Sequence, residues 1–384
     1  MKLALLKGDR YNPWHVAAFQ HIPEVEPVVF RTESDFRRRI REVRGPLFPS
    51  ETLPMDTHAG APFQRFLNVV RARAGNREPR MAPFHNRLRE FDLIQTWELF
   101  TDWSAEGLRA HQKWDIPLSV MVWDNIPFNM ERDPGRRALK EAVARGASQF
   151  IVHTERSRRT LDIEGVAAER VVKLDPGVDT ERFSPGPPNR KAFGLPDSSF
   201  VILFVGWLLP RKGIDFLLLA LRELLRDTAL ADFDARLLVV GSGPGADRVE
   251  RLVSRLDIGG ACTFAGALPH DRMPEAFRSA DVFVLPSVAT PEWQEQFGMS
   301  LVEALACGVP VISTHTGAVA ETVEDAAVLC QPNDFVSLYE ALKELMRDSK
   351  ARQALGERGR ALALRRFQLG PYAAALSEIY LKLR

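Results

Sequence analysis

Residues 291–314, PEWQEQFGMSLVEALACGVPVIST, hold two carboxylates, Glu295 and Glu303, with seven residues between them. Phe297-Gly298 marks a turn. From Met299 the apolar residues Met299, Val302, Leu305 and Ala306 recur at helical spacing. Gly308 stops that helix and Pro310 prevents its continuation, and Val309–Ser313 reads as a short buried strand. Glu295 therefore belongs to a loop before a helix, and Glu303 to a position about one turn inside it. The first-turn amides of such a helix point back into the loop, where they favour an anion. Carboxylates accept hydrogen bonds from sugar hydroxyls, and free amides take phosphate oxygens. The stretch thus suits a polyhydroxylated, phosphate-bearing ligand, although a Glu pair is by default a solvated one.

The surrounding chain sets the context. Its 384 residues allow one large or two medium domains. With 45% hydrophobic and 26% charged residues it can bury a real core. A formal net charge of +1 argues against nucleic acid as a partner of the whole chain. No run of eighteen apolar residues marks a membrane span, and Met1–Asp9 reads as a first strand and turn rather than a leader. Cys262, Cys307 and Cys330 sit in apolar contexts without metal-ligand spacing, as reduced thiols of a cytoplasmic protein would. The eight histidines form no HxxxH pattern, so no metal is expected.

Apolar runs at Leu3–Leu6 and Val25–Phe30 read as strands, with a helix opening at Trp14–Phe19. Residues 31–90 differ, with 13 Lys/Arg against 7 Asp/Glu. Such a run is usually a solvated face. The sharper reading is peripheral contact with an anionic membrane surface, through the stripe Phe36, Ile40 and Val43. From Phe91 strands and helices alternate, which means a parallel sheet covered on both faces. SPGPPNRKAFGLPDSS (184–199) is the best domain boundary, and the alternation then repeats. The fold class is therefore α/β, with two Rossmann-like doubly wound parallel-sheet domains facing across a cleft at their strand C-terminal ends. The expected domains are 1–184, joined by a returning helix 367–384, and 185–366. In that helix Tyr372, Leu376, Ile379 and Tyr380 form a side that must be buried on the first domain.

GWLLPRKG (206–213) follows a buried strand and opens a helix. Gly206 lets the loop approach a ligand, and Lys212, with Arg211 beside it, meets a phosphate there. DVFVLPS delivers Pro286 and Ser287 near the Glu295 loop. GSGPGA (241–246) satisfies a relaxed dinucleotide fingerprint, but the next strand, CTFAG, ends without the acid that would hold a ribose. A tight strand–helix turn is the simpler account, and an NAD-dependent oxidoreductase the weaker one.

In this order the blocks resemble the retaining glycosyltransferases of the GT-B fold in glycosyltransferase family 4 (glycosyl transferases group 1). VVKLDPGVDTERF (171–183) is similar to the family's hinge segment, and GWLLPRKG to its phosphate loop. LLVVGSGPG and FAGALPHDRMPEAFRSADVFVLPS resemble the next blocks, EQFGMSLVE the E-x7-E element, and EALACGVPVIST with Gly317 and Ala320-Glu321 its continuation. The resemblance covers residues 171–324. It implies a UDP-, GDP- or ADP-sugar in the C-terminal domain, a hydroxylated acceptor in the N-terminal one, and no cofactor or metal. By position, Glu303 would bind ribose and Glu295 the donor sugar. Phe297, Gly298 and Met299 would offer amides, and Lys212 would neutralise the diphosphate, with Gly206, Arg211 and Pro286 lining the site. Glu295, Lys212 and Asp124 are the catalytic candidates. The sequence departs from the family at Trp207, where Arg is frequent, and at Trp97 and Trp123, where His is frequent. These departures motivate the alternative of a nucleotide-sugar-binding scaffold without turnover.

Overall fold

The computed structural model describes residues 1–7, 13–32, 49–53 and 83–384. Gly8-Asp9, the stripe Phe36, Ile40 and Val43, and most of the basic segment 31–90 lie outside the described residues. The chain forms two compact units, Met1–Asp175 with Gly370–Arg384, and Pro176–Leu369.

In the first unit, among the described residues, β1 (Lys2–Leu6), β2 (Glu26–Thr32), β3 (Ser50–Leu53), β4 (Leu93–Trp97), β5 (Leu118–Val122), β6 (Gln149–Val152) and β7 (Val171–Lys173) form one sheet in the order β3-β2-β1-β4-β5-β6-β7. Every pairing is parallel. The order reverses direction between β1 and β4, the topological switch point of a doubly wound sheet. The crossovers carry α1 (Asp102–Trp114), α2 (Pro134–Gly146) and α3 (Glu155–Ile163), capped by Thr101, Asp133 and Thr154 respectively. The helix expected at Trp14 is instead a 3₁₀ helix, Pro13–His21. β3 is an addition to the expected strands, because it falls inside the charged segment where no apolar run announces it.

The second unit repeats the plan with β8 (Phe200–Val205), β9 (Ala235–Val240), β10 (Cys262–Gly266), β11 (Val282–Leu285), β12 (Val311–Thr314) and β13 (Val328–Cys330), in the order β10-β9-β8-β11-β12-β13. Its helices are α4 (Ile214–Arg226), α5 (Ala246–Leu256), α6 (Met273–Arg278), α7 (Met299–Ala306), α8 (Val319–Val323), α9 (Phe335–Arg347) and α10 (Ser349–Arg366). α4 shows why the pattern works: Ile214, Leu217, Leu218, Leu221 and Leu224 fall on one face and are buried, each contributing about 1.5–3 kcal/mol.

The division between units lies at Asp175/Pro176, not at the Pro-rich segment 184–199. Hydrogen bonds explain the shift. Arg360 donates to the carbonyls of Thr180 and Phe183 at 3.0 and 2.9 Å, and Arg278 to that of Ser184 at 2.7 Å. Arg190, within the Pro-rich segment, pairs with Asp281 at 2.7 Å. Segment 176–199 is thus held on the second unit throughout.

The last helix, α11 (Leu369–Lys382), belongs from Gly370 onward to the first unit. Leu376 and Tyr380 are fully buried. The Tyr380 hydroxyl donates to Gln95 Oε1 at 2.9 Å, and its ring stacks on Phe19 at 6.1 Å. This bond satisfies a Gln in the middle of a buried strand, where an unpaired amide would be costly.

Candidate active site

In the second unit the switch point lies between β8 and β11, and the loops after these strands meet there. Gly213 has φ +70°, and a Cβ at that position would stand 1.8 Å from the Pro286 carbonyl oxygen. Only glycine lets the β8–α4 loop rest on the β11 loop. Val288 N–H donates to the Arg211 carbonyl at 2.9 Å and completes the seam.

This seam brings Lys212 and Glu295 together. Lys212 Nζ donates to Glu295 Oε2 at 2.7 Å, and Ser287 Oγ donates to the same oxygen at 2.6 Å. Glu295 is 5% exposed. Trp293 underlies the cations, its ring 4.6 Å from the Arg211 guanidinium and 5.0 Å from Lys212 Nζ, a cation–π arrangement that holds both in place. The backbone of Glu295 is fixed from its other side. Ala318 N–H donates to its carbonyl at 2.9 Å, and Gly317 lies against it. A loop ahead of a helix is ordinarily less constrained than this, and here the structure clamps it.

Phe297 points into the core, T-shaped on Phe367 at 5.7 Å. Gly298 opens α7 at φ +86°, with no side-chain cap, so the first-turn amides at Met299 and beyond are not answered by a capping side chain. Pro286 is buried. Glu303 lies on α7 and accepts a hydrogen bond from His270 Nε2 at 3.0 Å. His270 packs in turn against Phe183, ring centroids 5.1 Å apart. Gly206 lies at the end of β8. A Cβ at Gly241 would stand 1.9 Å from its carbonyl oxygen, and one at Gly245 would stand 2.5 Å from that of Leu208. The GSGPGA glycines therefore serve close packing of two loops, which accounts for them without a dinucleotide.

Asp124 belongs to the first unit, at the C-terminal end of β5, and is 6% exposed. It accepts from Asn129 Nδ2 at 3.0 Å and Ile126 N–H at 3.3 Å. Burial holds its carboxyl above the usual range. Of the two tryptophans at family His positions, Trp97 is buried under Lys7, 4.1 Å from its ring. Trp123 packs on His153 at 4.1 Å. Burial pushes His153 down to about 4, so it is neutral at pH 7. Trp207 is 42% exposed.

Sequence reasoning passes over Trp293, His270 and Glu98. Trp293 lies inside the quoted stretch, two residues before Glu295. His270 sits in a turn after a strand end, the ordinary place for a ligand residue. Glu98 follows directly on Trp97 and has no periodicity to expose it.

Two doubly wound units, the second with a cation–carboxylate pair at its switch point, define a GT-B protein. The whole fold is shared with the structure of Anabaena HepE in complex with UDP, at a TM-score of 0.78 and 20% identity over 100% of both chains. The family described as Glycosyl transferases group 1 matches residues 187–362. The D-inositol 3-phosphate glycosyltransferase of Kineococcus radiotolerans is 30% identical over 319 residues, 76% of this chain and 72% of the relative. The GDP-mannose-dependent alpha-(1-6)-phosphatidylinositol monomannoside mannosyltransferase of Mycolicibacterium smegmatis is 35% identical over 217 residues, 54% of this chain and 55% of the relative. The chain belongs to the group 1 glycosyltransferase family (family 4). It spans about half the length of several of the curated relatives it matches.

Proposed function

We propose that the chain transfers a glycosyl residue, with retention, from a nucleoside-diphosphate sugar to a hydroxylated acceptor. The observation that carries this reading is the Lys212–Glu295–Ser287 cluster beside the uncapped start of α7. In this reading the C1–O bond to the diphosphate breaks through an oxocarbenium-like state, and the electron pair leaves with the nucleoside diphosphate. Lys212 and the α7 amides stabilise that departing charge, without a metal. Glu295, held by Lys212 and Ser287, receives donor-sugar hydroxyls, and Glu303 the ribose. The acceptor is taken by the first unit, with Asp124 in contact with its hydroxyl; that oxygen bonds to C1 on the face the diphosphate leaves, and its proton passes to the departing phosphate oxygen. Nucleotide and sugar stay open among UDP, GDP and ADP sugars. The names of the relatives make D-inositol 3-phosphate and phosphatidylinositol monomannoside the first acceptors to try. A lipid acceptor would agree with a cytoplasmic protein touching the inner membrane face through residues 31–90. Among the described residues no helix is long and apolar enough to cross a membrane.

The test is incubation with UDP-, GDP- and ADP-sugars and mixed acceptors, with and without a chelator. The expected result is nucleoside diphosphate release unaffected by the chelator and a product that keeps the donor's anomeric configuration. Inversion, or a chelator-sensitive rate, would remove the corresponding part of the reading. The tryptophans at family His positions favour a second reading, a nucleotide-sugar-binding protein without turnover. Thermal stabilisation by a nucleoside diphosphate with no transfer to any acceptor would select it.

His270 adds a prediction. If Glu303 anchors the ribose, His270→Ala leaves that carboxylate unpositioned, and KM for the donor should rise about tenfold with little change in kcat. His270→Gln, which keeps a donor near Nε2, should recover most of the loss. An equal fall in kcat with KM unchanged would show that the pair does not act in donor binding.

A further inference from the structure

The first unit holds a buried charged cluster that the reading above does not use. At the C-terminal end of β4, Glu98 takes φ +63°, a left-handed conformation that a glutamate rarely adopts. Its amide donates to the Met121 carbonyl at 2.9 Å. Its side chain turns to the end of β5, where Oε1 accepts from Trp123 N–H at 3.0 Å and Oε2 from Asp124 N–H at 3.4 Å. The turn that follows is pinned from below. Phe128 N–H donates to Glu164 at 2.7 Å, and Lys140 Nζ reaches the Asn129 carbonyl at 3.1 Å and Glu164 at 2.7 Å. Phe128 and Met130 are also left-handed, at φ +58° and +64°. Phe128 is 56% exposed. A cavity of about 10 Å³ lies among Glu98, Asp124, Lys140 and Glu164, room for about one water. Three strained residues held by buried charges are a costly arrangement for a plain connecting loop.

We propose that Glu98 is a further positioning residue of the acceptor side: as a neutral carboxylic acid it fixes the Trp123–Asp124 turn and leaves Asp124 as the single anion that receives the acceptor hydroxyl. This rests on the glycosyl-transfer reading above. Both oxygens of Glu98 accept from backbone N–H groups, Oε1 from Trp123 at 3.0 Å and Oε2 from Asp124 at 3.4 Å, and these bonds set the turn in place. Two buried carboxyls this close do not both ionise readily. The surrounding charges agree. Burial, and then the negative charge of Asp124, push Glu98 up to about 8, against the two backbone N–H groups and Lys7. Lys140 favours ionised Asp124 and is itself shared with Glu131 and Glu164. His153 at the end of β6 is neutral and adds no charge. Asp124 therefore ionises first, and Glu98 keeps its proton until the pH approaches 8.

The test compares Glu98→Ala and Glu98→Gln. Glutamine copies the neutral acid, so E98Q should recover most of an about tenfold loss of kcat/KM for the acceptor seen in E98A at pH 7. In the wild type that parameter should fall as pH rises through about 8, when Glu98 ionises beside Asp124. E98Q should lack the fall. An infrared pH titration gives a readout independent of turnover. The wild type should lose a carboxylic-acid carbonyl band near pH 8 that E98Q does not have. E98Q as impaired as E98A, a retained alkaline fall, or an absent band would each overturn the proposal. A wild type that shows the band but transfers nothing from any donor would overturn the glycosyl-transfer reading instead.

Discussion

Lys212→Met is expected to lower kcat/KM for the sugar nucleotide by about 10²–10³, the usual cost of removing one group that meets developing negative charge. The magnitude follows from position. Lys212 lies on the loop after β8, beside the β11 loop, and is 17% exposed. An ammonium has three donors, so Lys212 can hold Glu295 with one and a diphosphate oxygen with another. Arginine would not substitute well, because its planar fork does not fit an oxygen already taken by Ser287. The substitution also leaves the Glu295 carboxylate buried with Ser287 as its remaining donor from this cluster, which should cost about 1–3 kcal/mol of stability. The double variant Lys212→Met/Glu295→Gln separates the two effects, since it removes the buried charge together with its partner. Stability should return and activity should not. Activity returning with stability would show that Lys212 acts only as a counter-ion.

Gly317→Ala should be among the most disruptive single methyls in the second unit, with those at Gly213 and Gly241. The position has φ +55°, and the added Cβ would lie 1.9 Å from the Glu295 carbonyl oxygen and 2.8 Å from its nitrogen. These are backbone atoms, which no rotamer change can move. Left-handed strain and overpacking together should cost about 3 kcal/mol, or roughly 6–12 °C in the transition of a unit this size. The loop that carries Glu295 must shift, so nucleoside diphosphate binding should weaken even where the protein is still folded. Calorimetry with and without nucleotide checks both. Gly370→Ala is the control, because an added methyl there would meet no atom within 4 Å and the backbone is not left-handed.

The fold is largely legible because parallel strands buried on both faces read as short apolar runs, and the helices between them carry clear stripes. FVILFV and VFVL announce β8 and β11, and LLLALRELL announces α4. The failures have physical causes. β3, SETL, has no apolar run to mark it. The Pro- and Gly-rich segment 184–199 reads as a linker, yet Arg190 binds this part of the chain to the second unit through the Asp281 carboxylate, and Arg278 and Arg360 through carbonyls, contacts that no sequence pattern displays. At the site, residue types and chain order identify Lys212, Glu295 and Glu303. Ser287, eight residues before Glu295, is brought to its loop by DVFVLPS and is legible too; His270 stays hidden, because its bond to Glu303 joins a turn and a helix 33 residues apart. Glu98 stays hidden for a like reason: its importance comes from the amides of residues 123 and 124, just past the end of β5.

In the proposed function the Glu295–Glu303 stretch binds a nucleoside-diphosphate sugar in the second unit. Titration calorimetry of UDP, GDP and ADP against the wild type and Glu303→Ala checks this. One of the three should bind the wild type, and loss of the Glu303 carboxylate should weaken it by about tenfold or more. Equal affinity in the two proteins, or binding of none of the three, would contradict it.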